Sequence, residues 1–158
     1  MRQNRRFRCW IINRRQVKKH KLKLNLTSES DLFLVGISSA EPDYKLCWEI
    51  NKAFLISLIK TDDHVITNKT GEKISFSKFF YMDESSFDSY ALIRNKENNY
   101  FLLEDLKTID YVFVVKGEFS GEEKQNFLNL LRKSSVITAA IEFSNEKLRY
   151  RERLLMNE

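Results

Sequence analysis

The sequence predicts an α+β fold: a single, mainly antiparallel sheet of about six to seven strands with helices packed on it. Three observations carry that expectation. Short apolar or alternating runs are separated by short polar turns, which suits antiparallel neighbours. Two segments instead space their apolar residues as helices do, Leu46 to Phe54 and Phe127 to Leu131. With one proline and four glycines in 158 residues there is little room for a linker, so one domain is expected over residues 17–158.

His20 to Leu26 alternates, with Leu22, Leu24 and Leu26 on one side, and reads as a half-solvated strand. Asp31 to Ser39 (DLFLVGISS) is apolar without a clear period. A short helix is expected there, opened by Ser28 and Asp31 and ended at Gly36 to Ser39. Glu41-Pro42-Asp43 opens a longer helix, because proline and acids suit a first turn. Leu46, Cys47, Ile50, Ala53 and Phe54 give that helix one wide apolar stripe, and a strand is expected around Leu55 to Lys60.

Val65-Ile66-Thr67, the turn Asn68 to Gly71 and the run Ile74 to Tyr81 form a predicted hairpin. Phe87 to Arg94 supplies a further strand, and Tyr100 to Leu103 another after the polar turn Asn95 to Asn99. Ile109 to Val115 is apolar on both faces after Asp110, which places it mid-sheet with cover on both sides. Ser120-Gly121-Glu122-Glu123 is a capping box for a helix carrying Phe127, Leu128, Leu130 and Leu131. A strand follows over Val136 to Phe143, with Ile137, Ala139, Ile141 and Phe143 on one face. Ser144 then caps a final helix rich in Arg, Lys and Glu. The unit from Ile109 to Phe143 is the one strand–helix–strand crossover.

Charge is concentrated at the front. Residues 1–16 hold six arginines (Arg2, Arg5, Arg6, Arg8, Arg14 and Arg15) and no acid. Taking these six from the 27 Lys+Arg leaves 21 against 22 Asp+Glu, so residues 17–158 are close to neutral. Cys9 and Cys47 make no metal or redox spacing, which fits a reducing compartment and a cytoplasmic location. No apolar run approaches the roughly eighteen residues of a membrane span, so no membrane partner is expected.

Leu103 to Tyr111 reads LEDLKTIDY and resembles the signature of the IPExxxVDY family of uncharacterised bacterial proteins. Leu103 stands for its Ile, Glu104 for its Pro, Asp105 for its Glu, and Ile109-Asp110-Tyr111 for Val-Asp-Tyr. The stretches KKHKLKLNL, GISS, DYKLCWEINKA and KTDD are similar to that family as well. The resemblance implies membership but no activity. Members begin Met-Lys-Lys-His-Lys-Leu, and Val17-Lys18-Lys19-His20 stands at that point. A natural start at Val17 is therefore expected, with residues 1–16 a basic extension upstream of it; the alternative is a genuine basic arm.

Candidate chemistry is sparse. Asp62, Asp63 and His64 are adjacent, and three neighbours on a strand cannot all face one ion, so a solvated hairpin corner is expected and no metal. Cys47 sits on an apolar stripe and reads as a small buried hydrophobe. The four glycines form no phosphate cradle, and no cofactor is expected. Asp105 and Asp110 would serve as paired acid and base only if they met in one cleft; otherwise Asp105 caps a turn and Asp110 meets a backbone or basic partner. Tyr111 is expected to bury its ring with its hydroxyl at the margin. Tyr44 and Trp48 extend the apolar surface of their helix to one side, as a partner surface or as a wide core face.

The leading functional reading is a non-enzymatic protein-interaction domain, with self-association included. The alternative is a nucleic-acid (RNA) accessory protein. It would use Lys18, Lys19, Lys21 and Lys23 of the first strand with Arg149, Arg151 and Arg153 of the last helix. An enzyme working through Asp105 and Asp110 is the weakest of the three.

Overall fold

A computed structural model of the chain describes residues 32–144, 147–149 and 151–154, with the Arg151 side chain excepted. The expected strand over His20 to Leu26, the basic extension and Lys18, Lys19, Lys21 and Lys23 lie outside the described residues. The fold is α+β, as the alternating runs predict. Its elements are β1 (Leu32–Ser38), α1 (Asp43–Phe54), β2 (Ile59–Lys60), β3 (His64–Thr67), β4 (Lys73–Phe76), β5 (Lys78–Met82) and β6 (Ser89–Arg94). There follow β7 (Lys96–Glu97), β8 (Tyr100–Phe101), β9 (Tyr111–Lys116), α2 (Gly121–Arg132) and β10 (Ala139–Phe143). Six strands form one antiparallel sheet in the order β10-β1-β9-β6-β5-β2; β3 with β4, and β7 with β8, form two small hairpins.

The sheet has apolar cover on both faces. Alternate residues of the central strands point to opposite sides. Phe33, Val35, Ile37, Leu92, Tyr111, Phe113 and Val115 pack beneath α1 and α2. Leu34, Ala91, Ile93, Val112 and Val114 face the β3–β4 hairpin, Leu102, Leu103, Leu148 and Leu154. On the helical side Phe127 is the hub, with its ring centroid 5.4 Å from Phe33, 4.2 Å from Phe54 and 5.5 Å from Phe113. The capping box of α2 forms as expected: Glu123 N donates to Ser120 Oγ at 3.2 Å, and Ser120 N donates to Glu123 Oε2 at 2.8 Å.

Five sequence expectations need correction. Leu32–Ser38 is a strand between β10 and β9, not a short helix. An aperiodic apolar run is what burial on both faces produces, and Gly36 does not stop a helix there. A side chain at Gly36 would collide with the Phe143 ring and come within 3.1 Å of Ile109. The run Ile74 to Tyr81 is broken at Ser77, where the chain leaves the β3–β4 hairpin and enters the main sheet. Ser77 holds that corner, its hydroxyl donating to Asp43 Oδ2 at 2.5 Å and its carbonyl accepting from Arg94 N at 2.9 Å.

The last strand begins at Ala139, and Ala140 rather than Ile141 faces the helices; Ile141 is exposed. Ile137 lies in the preceding turn, so its side chain does not set the strand's period. Where a charged final helix was expected, the described residues show 3-10 geometry at Lys147 and over Arg151–Leu154. Around Leu55 to Lys60 the strand shrinks to Ile59–Lys60, because Leu55 turns into the left-handed region at φ 55° to end α1. Strands β9 and β10 are parallel to each other across β1, so the segment from β9 through α2 is the expected crossover. Arg132, at the end of α2, donates through Nε and Nη2 to the Ala140 carbonyl of edge strand β10, at 3.0 and 2.8 Å. That bond occupies part of an edge that pairs with no further strand among the described residues.

Candidate functional site

The LEDLKTIDY segment folds as a loop between β8 and β9 over one end of the sheet. Leu103 and Ile109 are buried, and Glu104–Leu106 forms a 3-10 turn between them. A residue unremarkable in the sequence, Asn95, organises the loop. Its side chain is wholly buried. Nδ2 donates to the Leu106 and Ile109 carbonyls at 2.9 Å each, and Oδ1 accepts from Leu103 N at 2.9 Å. Its backbone adds Asn95 N to Asp110 O and Leu102 N to Asn95 O, both 2.8 Å. Every polar group of Asn95 is therefore spent on the loop, as burial demands.

Asp105 and Asp110 are held apart by this loop. Asp105 Oδ2 accepts from Arg149 N at 3.0 Å, in the segment that packs on the face opposite the helices. Asp110 Oδ2 accepts from Ser39 N at 2.9 Å, at the end of β1. Both carboxylates thus meet backbone amides, on different segments. Tyr111 buries its ring and donates its hydroxyl to the Glu41 carbonyl at 2.8 Å. Burial raises the pKa of that hydroxyl above the ordinary tyrosine value, against the pull of nearby Arg94.

A cleft of about 520 Å³ opens where the β1–α1 connection, the end of β6 and the start of β9 meet. Asp110, Tyr111, Ser39, Arg94, Lys96 and Glu97 line it, with Glu41 at its margin. Arg94 lies opposite Tyr111 in the β6–β9 register. Sequence reading singled out neither Arg94 nor Lys96, because each looks like a solvated strand-end charge until the loop closes over Asn95.

Helix α1 presents two different sides. Inward, Leu46, Cys47, Ile50 and Phe54 are buried. The Cys47 thiol donates weakly to the Leu58 carbonyl at 3.6 Å, and burial, assisted by Asp43, raises its pKa to about 11. Asn51 brackets Leu58 in both directions: Leu58 N donates to Oδ1 at 2.8 Å, and Nδ2 donates to Leu58 O at 3.0 Å. Outward, Tyr44 is 69% exposed and Trp48 59% exposed, with Leu55 further along the same stripe. Lys52 lies 4.9 Å over the Trp48 ring. The core therefore does not extend to Tyr44 and Trp48.

Of the three arginines expected to meet a polyanion, Arg149 is exposed. Arg153 turns inward, donating to the Leu102 carbonyl at 3.1 Å and contacting Glu104 at 3.4 Å. Arg151 has no described side chain. At the hairpin corner Asp63 pairs with Lys60, and His64 Nε2 donates to the Arg153 carbonyl at 2.5 Å. Among the described residues no group of three or more His, Cys, Asp or Glu is placed to hold a metal ion. Nor is any described helix long and apolar enough to cross a membrane. Compared with family models, with curated proteins and with solved structures, the chain matches none.

Proposed function

We propose that this chain is a non-enzymatic protein-interaction domain whose contact surface is the outer face of α1. The observation that carries this reading is the exposure of Tyr44 and Trp48 together on a helix whose opposite side is anchored in the core. Large rings left in water on a rigid helix favour burial against a partner, and Trp and Tyr dominate the centres of protein interfaces. The anchoring keeps the ordering cost of such a contact low. The pairing of Asp105 and Asp110 with separate backbone amides speaks against acid–base work by that pair. We further propose membership of the IPExxxVDY family, on LEDLKTIDY, and a cytoplasmic location.

The first partner to test is a second copy. Sedimentation velocity over a micromolar to submillimolar series should show a concentration-dependent dimer. Trp48→Ala should weaken it by about 2 kcal/mol or more, as loss of a central aromatic does, with folding stability unchanged. A chain that stays monomeric throughout, or a dimer indifferent to both Trp48→Ala and Tyr44→Ala, refutes self-association through this face.

A further inference from the structure

We propose that the cleft beside Asp110 binds a small zwitterion, a free amino acid or short peptide, with its carboxylate on Arg94 and Lys96 and its ammonium on Asp110. This inference is independent of the α1 surface. The cleft's volume, about 520 Å³, falls in the range of small-ligand sites. It carries both signs of charge, fixed by different segments of the fold. Asp110 enters from the start of β9, and the Ser39 amide occupies its Oδ2. Its Oδ1 has no partner among the described residues.

Arg94 and Lys96 enter from the β6 end and the β7–β8 hairpin. The nearest carboxylate to Arg94 belongs to Glu97 at 3.6 Å, beyond hydrogen-bond length, so its planar fork of donors is not consumed. The Lys96 ammonium lies 6.0 Å from the Phe101 ring and has no carboxylate partner among the described residues. Glu41, the remaining acid, is paired to Lys45 at 2.9 Å.

A simple anion in this cleft would face Asp110, and a simple cation would face Arg94. A molecule carrying both charges satisfies each wall, and electrostatic complementarity of that kind selects partners as much as it binds them. Ala40 and Pro42 line the remaining wall with small apolar surface, enough for a short side chain.

Alanyl-alanine is the probe. Titrated into the full chain and followed by amide NMR, it should shift the Ser39, Arg94 and Tyr111 resonances in a saturable way. N-acetylation, which removes the ammonium, and C-terminal amidation, which removes the carboxylate, should each weaken binding roughly tenfold, the loss of one charge-assisted contact. Arg94→Gln should do the same, and Asp110→Asn should weaken binding while its amide oxygen keeps the Ser39 bond. Absence of shifts at roughly 10 mM probe, or equal binding of the blocked peptides, overturns the proposal. Should Asp110→Asn fail to fold, Arg94→Gln at the surface decides the matter alone.

Discussion

Replacing Asn95 by alanine should destabilise the chain far more than its place in a polar turn suggests. The side chain satisfies three backbone groups: Leu103 N, Leu106 O and Ile109 O. On truncation the Leu106 carbonyl keeps a donor, because Ile109 N reaches it at 3.0 Å. Leu103 N and Ile109 O lose the bonds Asn95 provided, under a loop whose flanking Leu103 and Ile109 are buried. An orphaned buried group costs about 1–3 kcal/mol, so two such groups cost about 4 kcal/mol. That is a large share of the roughly 5–15 kcal/mol that holds a typical domain. Urea unfolding followed by far-UV circular dichroism would read it as a lowered midpoint at unchanged slope. Asn95→Asp removes both donors and sets a carboxylate against the two carbonyls, so it should be worse at neutral pH and partly recover in acid. A loss below about 1 kcal/mol for Asn95→Ala would refute the assignment of Asn95 as the clamp of this loop.

Other outcomes follow from the same structure. Gly36→Ala should cost about 1–3 kcal/mol by overpacking against Phe143 and Ile109, measured as a fall in thermal midpoint. His64 has its pKa lowered, chiefly by burial, so the unfolded chain binds its proton more readily. Its contribution is then complete above the unfolded value of about 6.5 and declines as pH falls below it. The urea midpoint should drop in that window, and His64→Gln should flatten the drop. In a Cys9→Ser background, the Cys47 thiol, with its pKa raised to about 11, should resist a thiol reagent at neutral pH. Denaturant should release it; rapid labelling of the native form would contradict its burial.

How far the sequence could be read depended on whether a residue's surroundings were local. The capping box of α2 and the two-sided apolar run of β9 announce themselves, because a few neighbouring residues decide them. The same two-sided burial in β1 was misleading, since a run without a period fits helix or strand and its glycine looked like a terminator. Only the Phe143 ring, over a hundred residues away in the chain, shows why Gly36 is required. Asn95 was hidden for a related reason. Asn-Lys-Glu-Asn-Asn is ordinary turn composition, and the polar groups that claim Asn95 lie eight to fourteen residues downstream. Tyr44 and Trp48 were visible as either core edge or partner surface, and their exposure removes them from the core. The cleft was out of reach because its walls come from three separate segments.

Strand β9 is a party wall between two greasy compartments: Tyr111, Phe113 and Val115 belong to one, Val112 and Val114 to the other. Neither chamber can be emptied without stripping the partition they share. Damage beneath the helices should therefore be felt under the β3–β4 flap, and the amides of β9 should trade hydrogen for deuterium only when the whole molecule opens.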